Sequence, residues 1–453
     1  MKKNLGIAVL LFAVLIGGMT VLFFAQYGTP EKTNTTLLDE PYRTIRLKHL
    51  NQPVPDTLLV YGAIDGMVNA VNDTGLVFIR PDKIRKNTEI KSVIYSEKLG
   101  PRDIASAINI IRSFYSKDSL SDSLLIRAAI RGMVKNLNDP FSSYLAPEKI
   151  SVLQEQPKEM DGLGIQLIAD SLNRIFIIQV ISESPAEKAG LCVGDEIIAI
   201  DGQQVVTQVQ AHNLLKGKEG QPVKLTINCN GIKQTTIVIR GKFKNCAVNY
   251  KMIGDLAYIE IQSFSLGVSE DFHSAIEQIL KNKPKGIILD LRDNPGGLGM
   301  EALAIANYWT GRKIIQKEKS ARGPCYGLRP PFFNYKMRPK IFPIIPPLRD
   351  VPTVILVNGH SASASEVLTG ALKYYGLATI VGEKTYGKGV GQVTKSLQAG
   401  GILVVTSFYW FLPDGQSIHK IGIMPDEEVK LTLEDKIKGL DPQLEKAKEL
   451  LQK

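Results

Sequence analysis

Residues 354–366 read Val354-Ile355-Leu356-Val357-Asn358-Gly359-His360-Ser361-Ala362-Ser363-Ala364-Ser365-Glu366. Four consecutive apolar residues mark a strand buried on both faces, as in a sheet covered by helices. Asn358-Gly359 then supplies a turn, and the periodicity from Ser365 to Tyr375 predicts a helix. A strand that passes through a tight turn into a helix is one unit of an α/β layer. The turn also carries chemical potential. The first amides of a helix have no intrahelical partner and sit at the positive end of its dipole, so a serine there stands beside ready-made anion donors. The same serines also fit helix caps, which on this segment alone is the simpler assignment.

Two further segments change that balance. Gly382-Glu383-Lys384-Thr385-Tyr386-Gly387-Lys388-Gly389-Val390-Gly391-Gln392 sets a lysine between glycines. Flanking glycines let other groups approach Lys388 closely, and desolvation favours the neutral amine that a general base requires. Gln392 lies four positions on, and in an extended stretch even spacing places it on the same face, where its amide can orient the amine. Ile287-Ile288-Leu289-Asp290-Leu291-Arg292-Asp293-Asn294-Pro295-Gly296-Gly297 is a second buried strand running into a glycine turn. Backbone amides at Gly296 or Gly297, together with that of Ala364, suit an oxyanion hole. Taken singly, Lys388 reads as a surface charge and Pro-Gly-Gly as a tight turn.

Around these segments the 453-residue chain has room for about three domains. Its 44% hydrophobic and 22% charged composition excludes wholesale disorder. The formal charge of +10 is scattered, without a basic run or a nucleic-acid-binding motif, so no nucleic-acid partner is expected. Lys2 and Lys3 precede an uncharged run from Leu5 to Ala25. As one helix this run would extend roughly 31 Å, a bilayer core. Residues 1–27 are therefore read as a signal anchor or signal peptide, with the anchor favoured because Phe23 and Phe24 do not suit a cleavage site. The body is then expected to be membrane-attached and extracytoplasmic, periplasmic or extracellular.

Residues 28–55 are polar with scattered prolines and read as a linker. Residues 56–158 carry helical periodicity, 159–242 form short strands with one helix near Val209–Leu215, and 243–430 alternate strands and helices. Within that last region 323–352 is a Pro-rich insertion, and 431–453 holds a terminal amphipathic helix. The expected class is α+β multidomain. Of Cys192, Cys229, Cys246 and Cys325, none has metal-ligand spacing; Cys229 and Cys246 are candidates to pair, and burial as small hydrophobes is the expectation for at least two of the four.

Taken together, SASASE, GEKTYGKGVGQ and the preceding LDLRDNPGG resemble the carboxy-terminal processing peptidases, a Ser/Lys protease family. The resemblance extends to Asn138-Asp139-Pro140-Phe141-Ser142-Ser143-Tyr144-Leu145 and to Gly422-Ile423-Met424-Pro425-Asp426. Gly162-Leu163-Gly164-Ile165, Ser184-Pro185-Ala186-Glu187-Lys188-Ala189-Gly190-Leu191 and Gly194-Asp195-Glu196 look like a PDZ domain. The resemblance implies a crotonase-like or ClpP-like α/β core behind a helical cap, with Ser363 as nucleophile, Lys388 as base and no cofactor or metal. It also implies Gln392 as the orienting residue, because Tyr374 occupies the neighbourhood where another branch carries an acid. Leu163, Gly164, Ile165 and Leu214 would receive a substrate's carboxy terminus, the loop amides taking the carboxylate.

The expected partners are proteins or peptides with accessible C-termini, and a homo-oligomer is compatible with this reading. Three alternatives account for less of the sequence. A Ser-His-Asp triad built on His360 or His419 has no Asp placed by the sequence, and Ser417-Ile418-His419-Lys420 matches only an isolated SxxK pattern. A noncatalytic PDZ scaffold would leave the joint presence of Ser363, Lys388 and Gln392 without a reason.

Overall fold

The buried strands predicted at 287–291 and 354–357 are neighbours in one sheet. The structure, a computed structural model, describes residues 12–16, 19–23, 32–72, 76–78, 99–115, 120–154, 159–181, 183–229, 231–244, 246–321, 323, 326–328 and 346–452. The chain divides into one unit of Met1–Glu155, Lys319–Cys325 and Val390–Tyr409 and another of Gln156–Glu318, Tyr326–Gly389 and Trp410–Lys453.

In the second unit one six-stranded sheet runs in the order Val248–Ile253, Leu256–Ile261, Gly286–Asp290, Thr353–Val357, Thr379–Gly382, Glu427–Glu428. Its first pair is antiparallel and the rest are parallel. Alternation explains the continuous apolar runs. Ile287, Leu289, Ile355 and Val357 pack with residues of the helices Val268–Lys281, Gly299–Thr310 and Ala364–Tyr374. Ile288, Val354 and Leu356 turn the other way, toward Leu444 and Ala447 of the terminal helix Pro442–Leu451. Both sheet faces are thus covered, and the strand ends open onto the loops that carry the site.

The same unit holds a five-strand path in the order Ile232–Ile239, Pro222–Cys229, Glu196–Ile200, Ile175–Val180, Ile165–Ala169. Helix Gln208–Leu215 covers it, with Ala211 and Leu215 in the core. Ile165–Ala169 is the edge strand of this path among the described residues.

In the first unit, helices Asp56–Val71 and Asp122–Lys135 cross closely. A Cβ on Gly132 would collide with Gly62 O, so glycine is what permits the approach. The Asn138–Leu145 segment ties this helical layer to the strand Ile402–Phe411. Ser143–Leu145 pairs with that strand, Ser142 Oγ donates to Asp139 Oδ2 (2.5 Å), and Thr406 N donates to Ser142 Oγ (3.0 Å).

Two expectations are corrected. Residues 28–55 are not a featureless linker, because Lys32–Lys48 is a helix. Leu38, Tyr42 and Ile45 recur at helical spacing and are buried in the helical core. The apolar run from Leu5 is not a continuous helix either. Phe12–Ile16 and Met19–Phe23 are antiparallel strands, with Ile16 opposite Met19. The two intervening residues in the sequence are both glycine, which suits a two-residue hairpin and weakens a helix. Among the described residues no helix is long and apolar enough to cross a membrane. Residues 1–11, 17–18 and 24–27, with Lys2 and Lys3 among them, lie outside the described residues, as do 329–345 of the Pro-rich stretch.

Candidate active site

The three serines of the turn have different fates. Ser361 Oγ donates to Leu291 O (2.7 Å) and accepts from Asn358 N (3.0 Å), while Ser365 Oγ donates to Asn294 O (2.9 Å). Both are fully buried. Ser363 is half-buried, and among the described residues no hydrogen bond engages its Oγ. Its φ of 56° and ψ of −113° place a non-glycine residue in a rarely occupied region, a strain of about 1–3 kcal/mol that the surrounding bonds must hold.

The second loop supplies that hold. Ala362 N donates to Asn294 O (3.0 Å), and Asp293 N donates to Asn358 Oδ1 (3.0 Å) while Asn358 Nδ2 returns a bond to Asp293 Oδ1 (2.9 Å). Gly296 has φ 95°, and a Cβ there would stand 2.5 Å from Ala362 O and 2.8 Å from Ser363 Cβ. This close approach requires glycine at 296.

Of the two glycine amides offered as partners to Ala364 N in an oxyanion hole, one already has an acceptor. Gly296 N already donates to Asn294 Oδ1 (2.9 Å). Gly297 N and Ala364 N enter no hydrogen bond recorded among the described residues, and Gly297 is fixed by its parallel bridge to Phe264. Arg292 anchors the root of this loop, bonding Asp290 and donating to Asp441 Oδ1 (2.9 Å).

Glu366, which the sequence reading did not single out, joins the Ser363 turn and the Lys388 loop. Its Oε2 accepts from Ser363 N (2.8 Å) and Lys388 N (2.9 Å); its Oε1 accepts from Thr385 Oγ1 (2.6 Å) and Gly387 N (2.6 Å). The carboxylate is fully buried, and burial pushes it above the usual glutamate range while the Thr385, Lys388, Gly387 and Ser363 donors pull it back. The available signal was Ser363-Ala364-Ser365-Glu366, a capping-box pattern. Lys388 is half-buried and held by its backbone, since Trp410 Nε1 donates to its carbonyl (2.9 Å). Its neighbour Gly389 packs so tightly that a Cβ would lie 2.7 Å from His419 N.

The sequence placed no acid behind His360, but the structure does: His360 Nδ1 lies 2.9 Å from Asp293 Oδ1. The pair is no triad. The His360 side chain is 80% exposed, and no bond links it to Ser363 among the described residues.

Ser363, Ala364, Glu366, Gly297 and Lys388 share the second unit; Gln392 belongs to the first. Gln392 lies on strand Val390–Ser396, whose register shifts between Gly391 and Gln392. Such a bulge resets side-chain alternation, so even spacing from Lys388 does not define a shared face. Its Nε2 is buried without a partner among the described residues.

In the smaller sheet Leu163 is buried, Ile165 opens the edge strand and Leu214 lies half-buried on the helix, with Gly164 at φ 77° between them. Gln208 Nε2 bridges helix and edge strand through Leu167 O (2.8 Å). Cys192 and Cys246 are exposed and Cys229 half-buried, and all three are thiols; neither the expected burial nor a Cys229–Cys246 bond is present.

Comparison with known proteins agrees with this layout. Residues 255–429 match the model of peptidase family S41, residues 176–228 that of a PDZ domain and residues 78–149 that of the activating protease CtpB N-terminal domain. A "Carboxy-terminal-processing protease" of Bartonella bacilliformis is 35% identical over 333 residues, 71% of this chain and 73% of its own length. A "Probable CtpA-like serine protease" of Staphylococcus aureus is 33% identical over 345 residues, 75% of this chain and 67% of its own. A solved S41 protease from Bacteroides fragilis shares the fold, with a TM-score of 0.52 at 17% identity over 71% of this chain and 90% of that one. Identity and coverage at this level establish kinship, and this chain belongs to the carboxy-terminal-processing proteases, serine peptidases of family S41.

Proposed function

We propose that the chain cleaves exported proteins near their C-termini or within unfolded segments, with Ser363 as nucleophile and Lys388 as its base. The observation that carries this reading is Glu366: one buried oxygen accepts the backbone amides of both residues, so nucleophile and base are set from a common point. The spent hydroxyls of Ser361 and Ser365 support Ser363 as the reactive one.

In this mechanism neutral Lys388 takes the Ser363 proton as the oxygen attacks the scissile carbonyl. The Ala364 and Gly297 amides stabilise the oxyanion. Protonated Lys388 then gives its proton to the leaving amine, and an acyl-enzyme remains. Water, deprotonated by Lys388, releases the product acid and restores Ser363. Gln392 orients the lysine amine in this scheme. The PDZ domain captures the substrate tail by strand addition along Ile165–Ala169, its terminal carboxylate at the Leu163–Ile165 amides.

Ser363→Ala should bind a C-terminal peptide with the parent's affinity and leave an unstructured protein intact. Cleavage at the parental rate would reject the assignment and favour a scaffold. The exported location rests on Lys2 and Lys3 ahead of an uncharged apolar run. Protease added to spheroplasts should digest the body; complete protection of the body would overturn the placement.

A further inference from the structure

The PDZ domain brings two cysteines to one buried carboxylate, Cys192 by its backbone amide and Cys229 by its thiol. Asn228 pairs with Glu196 across the antiparallel strands, and Asn228 Nδ2 donates to Glu196 Oε2 (3.1 Å) on one face. By alternation the next pair, Cys229 and Asp195, shares the opposite face. Asp195 is 3% exposed, and its Oδ2 accepts from Cys192 N (2.9 Å). Asp195 N closes the turn by donating to Cys192 O (3.3 Å), which brings the ends of Cys192–Asp195 together. Both cysteines thus meet at Asp195, Cys192 through its backbone amide at the turn, with its Sγ donating to Gly190 O (3.6 Å), and Cys229 from the hairpin end, so a rotation of the exposed Cys192 side chain is what a bond between the two sulfurs requires. The Cys229 thiol is pushed up by its hydrogen bond to Asp195, by that residue's charge, by burial and by the neighbouring Cys192.

We propose that Cys192 and Cys229 form an intramolecular disulfide that staples the end of the Pro222–Cys229 strand to the Cys192–Asp195 turn. The oxidant is a small-molecule disulfide. The exposed Cys192 thiolate attacks one sulfur of that disulfide and releases the other as a thiol, giving a mixed disulfide; Cys229, deprotonated, then attacks Cys192 Sγ and expels the second thiol. Two cysteine thiols are oxidised to one disulfide, the reagent disulfide is reduced to two thiols, and the two cysteine protons pass to them.

The staple sits at a contact surface. A Cβ on Gly194 would lie 2.6 Å from Ile437 O, so this turn is pressed against helix Leu433–Ile437. Oxidation therefore fixes the part of the PDZ domain that meets the C-terminal segment of the catalytic unit. The inference is independent of the Ser363–Lys388 reading.

The test incubates the reduced full chain with reduced and oxidised glutathione, blocks remaining thiols with an alkylating agent and maps peptides by mass spectrometry. The expected product is a Cys192–Cys229 linked peptide lacking two hydrogens, reversed by dithiothreitol, formed equally in Cys246→Ser and absent in Cys192→Ser. The inference is overturned if both cysteines are alkylated, if glutathione remains on Cys192 without cross-linking, or if the link runs to Cys246 or Cys325.

Discussion

Replacing Glu366 with glutamine keeps the side chain's length and removes two acceptor positions from a site built entirely of donors. The carboxylate now meets Ser363 N, Lys388 N, Gly387 N and Thr385 Oγ1. With the amide oxygen at the Oε1 position, its NH2 faces Ser363 N and Lys388 N, and two charge-assisted bonds are lost. With the amide reversed, those two survive, Thr385 Oγ1 can accept instead of donate, and Gly387 N alone is left opposed. At about 1.5–3 kcal/mol per bond to a charged group, the expected loss runs from about 1.5 to about 6 kcal/mol. A domain stability of about 5–15 kcal/mol leaves the variant folded in most of that range.

Because the same oxygens place the nucleophile and the base, part of the loss should appear as rate: each ~1.4 kcal/mol of lost positioning slows the chemical step about tenfold. Thermal unfolding and single-turnover cleavage of an unstructured protein, measured on the same preparation, should show a lower midpoint and a kcat reduced about 10- to 100-fold with KM little changed. The pH dependence carries a further signature. Burial raises Glu366 above its ordinary range, so its protonation begins at higher pH than for an exposed glutamate. The proton is bound more tightly in the folded state, so this group's contribution to stability falls as pH rises through that window, while activity, which needs all four donors accepted, rises. Parental rate and midpoint in Glu366→Gln would refute the reasoning.

Gly296→Ala should lower both stability and rate, by at least about 1–3 kcal/mol from its left-handed backbone alone, because its Cβ would stand 2.5 Å from Ala362 O and 2.8 Å from Ala364 N; differential scanning calorimetry with steady-state cleavage checks it. Burial pushes Asp139 up, but bonds from His49, Ser142, Thr406 and Phe141 N outweigh it and hold the carboxyl well below its usual range. It therefore contributes stability above the unfolded value near 3.9 that fades as pH falls through the folded one. Asp139→Asn should lose about 1.5–3 kcal/mol at neutral pH and show a shallower acid limb in denaturation. Gly132→Ala should lower the unfolding midpoint of the helical layer, since the added methyl meets Gly62 O; circular dichroism melts read this directly.

The strand, turn and helix around Ser363 were legible because their signals are local: apolar runs at 287–291 and 354–357, glycines at the turns and helical spacing after 364. The PDZ strands were legible for the same reason. What escaped the sequence reading was decided by contacts across the chain. Nothing in the spacing shows that Gly296 N is consumed by Asn294 and Gly297 N is not. Glu366 reads as a helix-start residue until Thr385, Gly387 and Lys388 come to its carboxylate. Asp293 and His360 are far apart in sequence, so their pairing was invisible. Helix Lys32–Lys48 is masked in the sequence by its polar residues and the internal Pro41, and it is the burial of Leu38, Tyr42 and Ile45 that stabilises it. The run from Leu5 counted as one helix on length and polarity, yet the Gly17-Gly18 pair offers the alternative of a hairpin.

The most direct test of the central claim is the site of acylation. The parent chain is mixed with an activated ester that acylates catalytic serines, quenched during turnover, digested and mapped. The account predicts a single acyl group on Ser363, retained in Ser361→Ala and Ser365→Ala and greatly diminished in Lys388→Ala. Acylation of Ser361 or Ser365 in the parent, or undiminished acylation of Ser363 without Lys388, would contradict it.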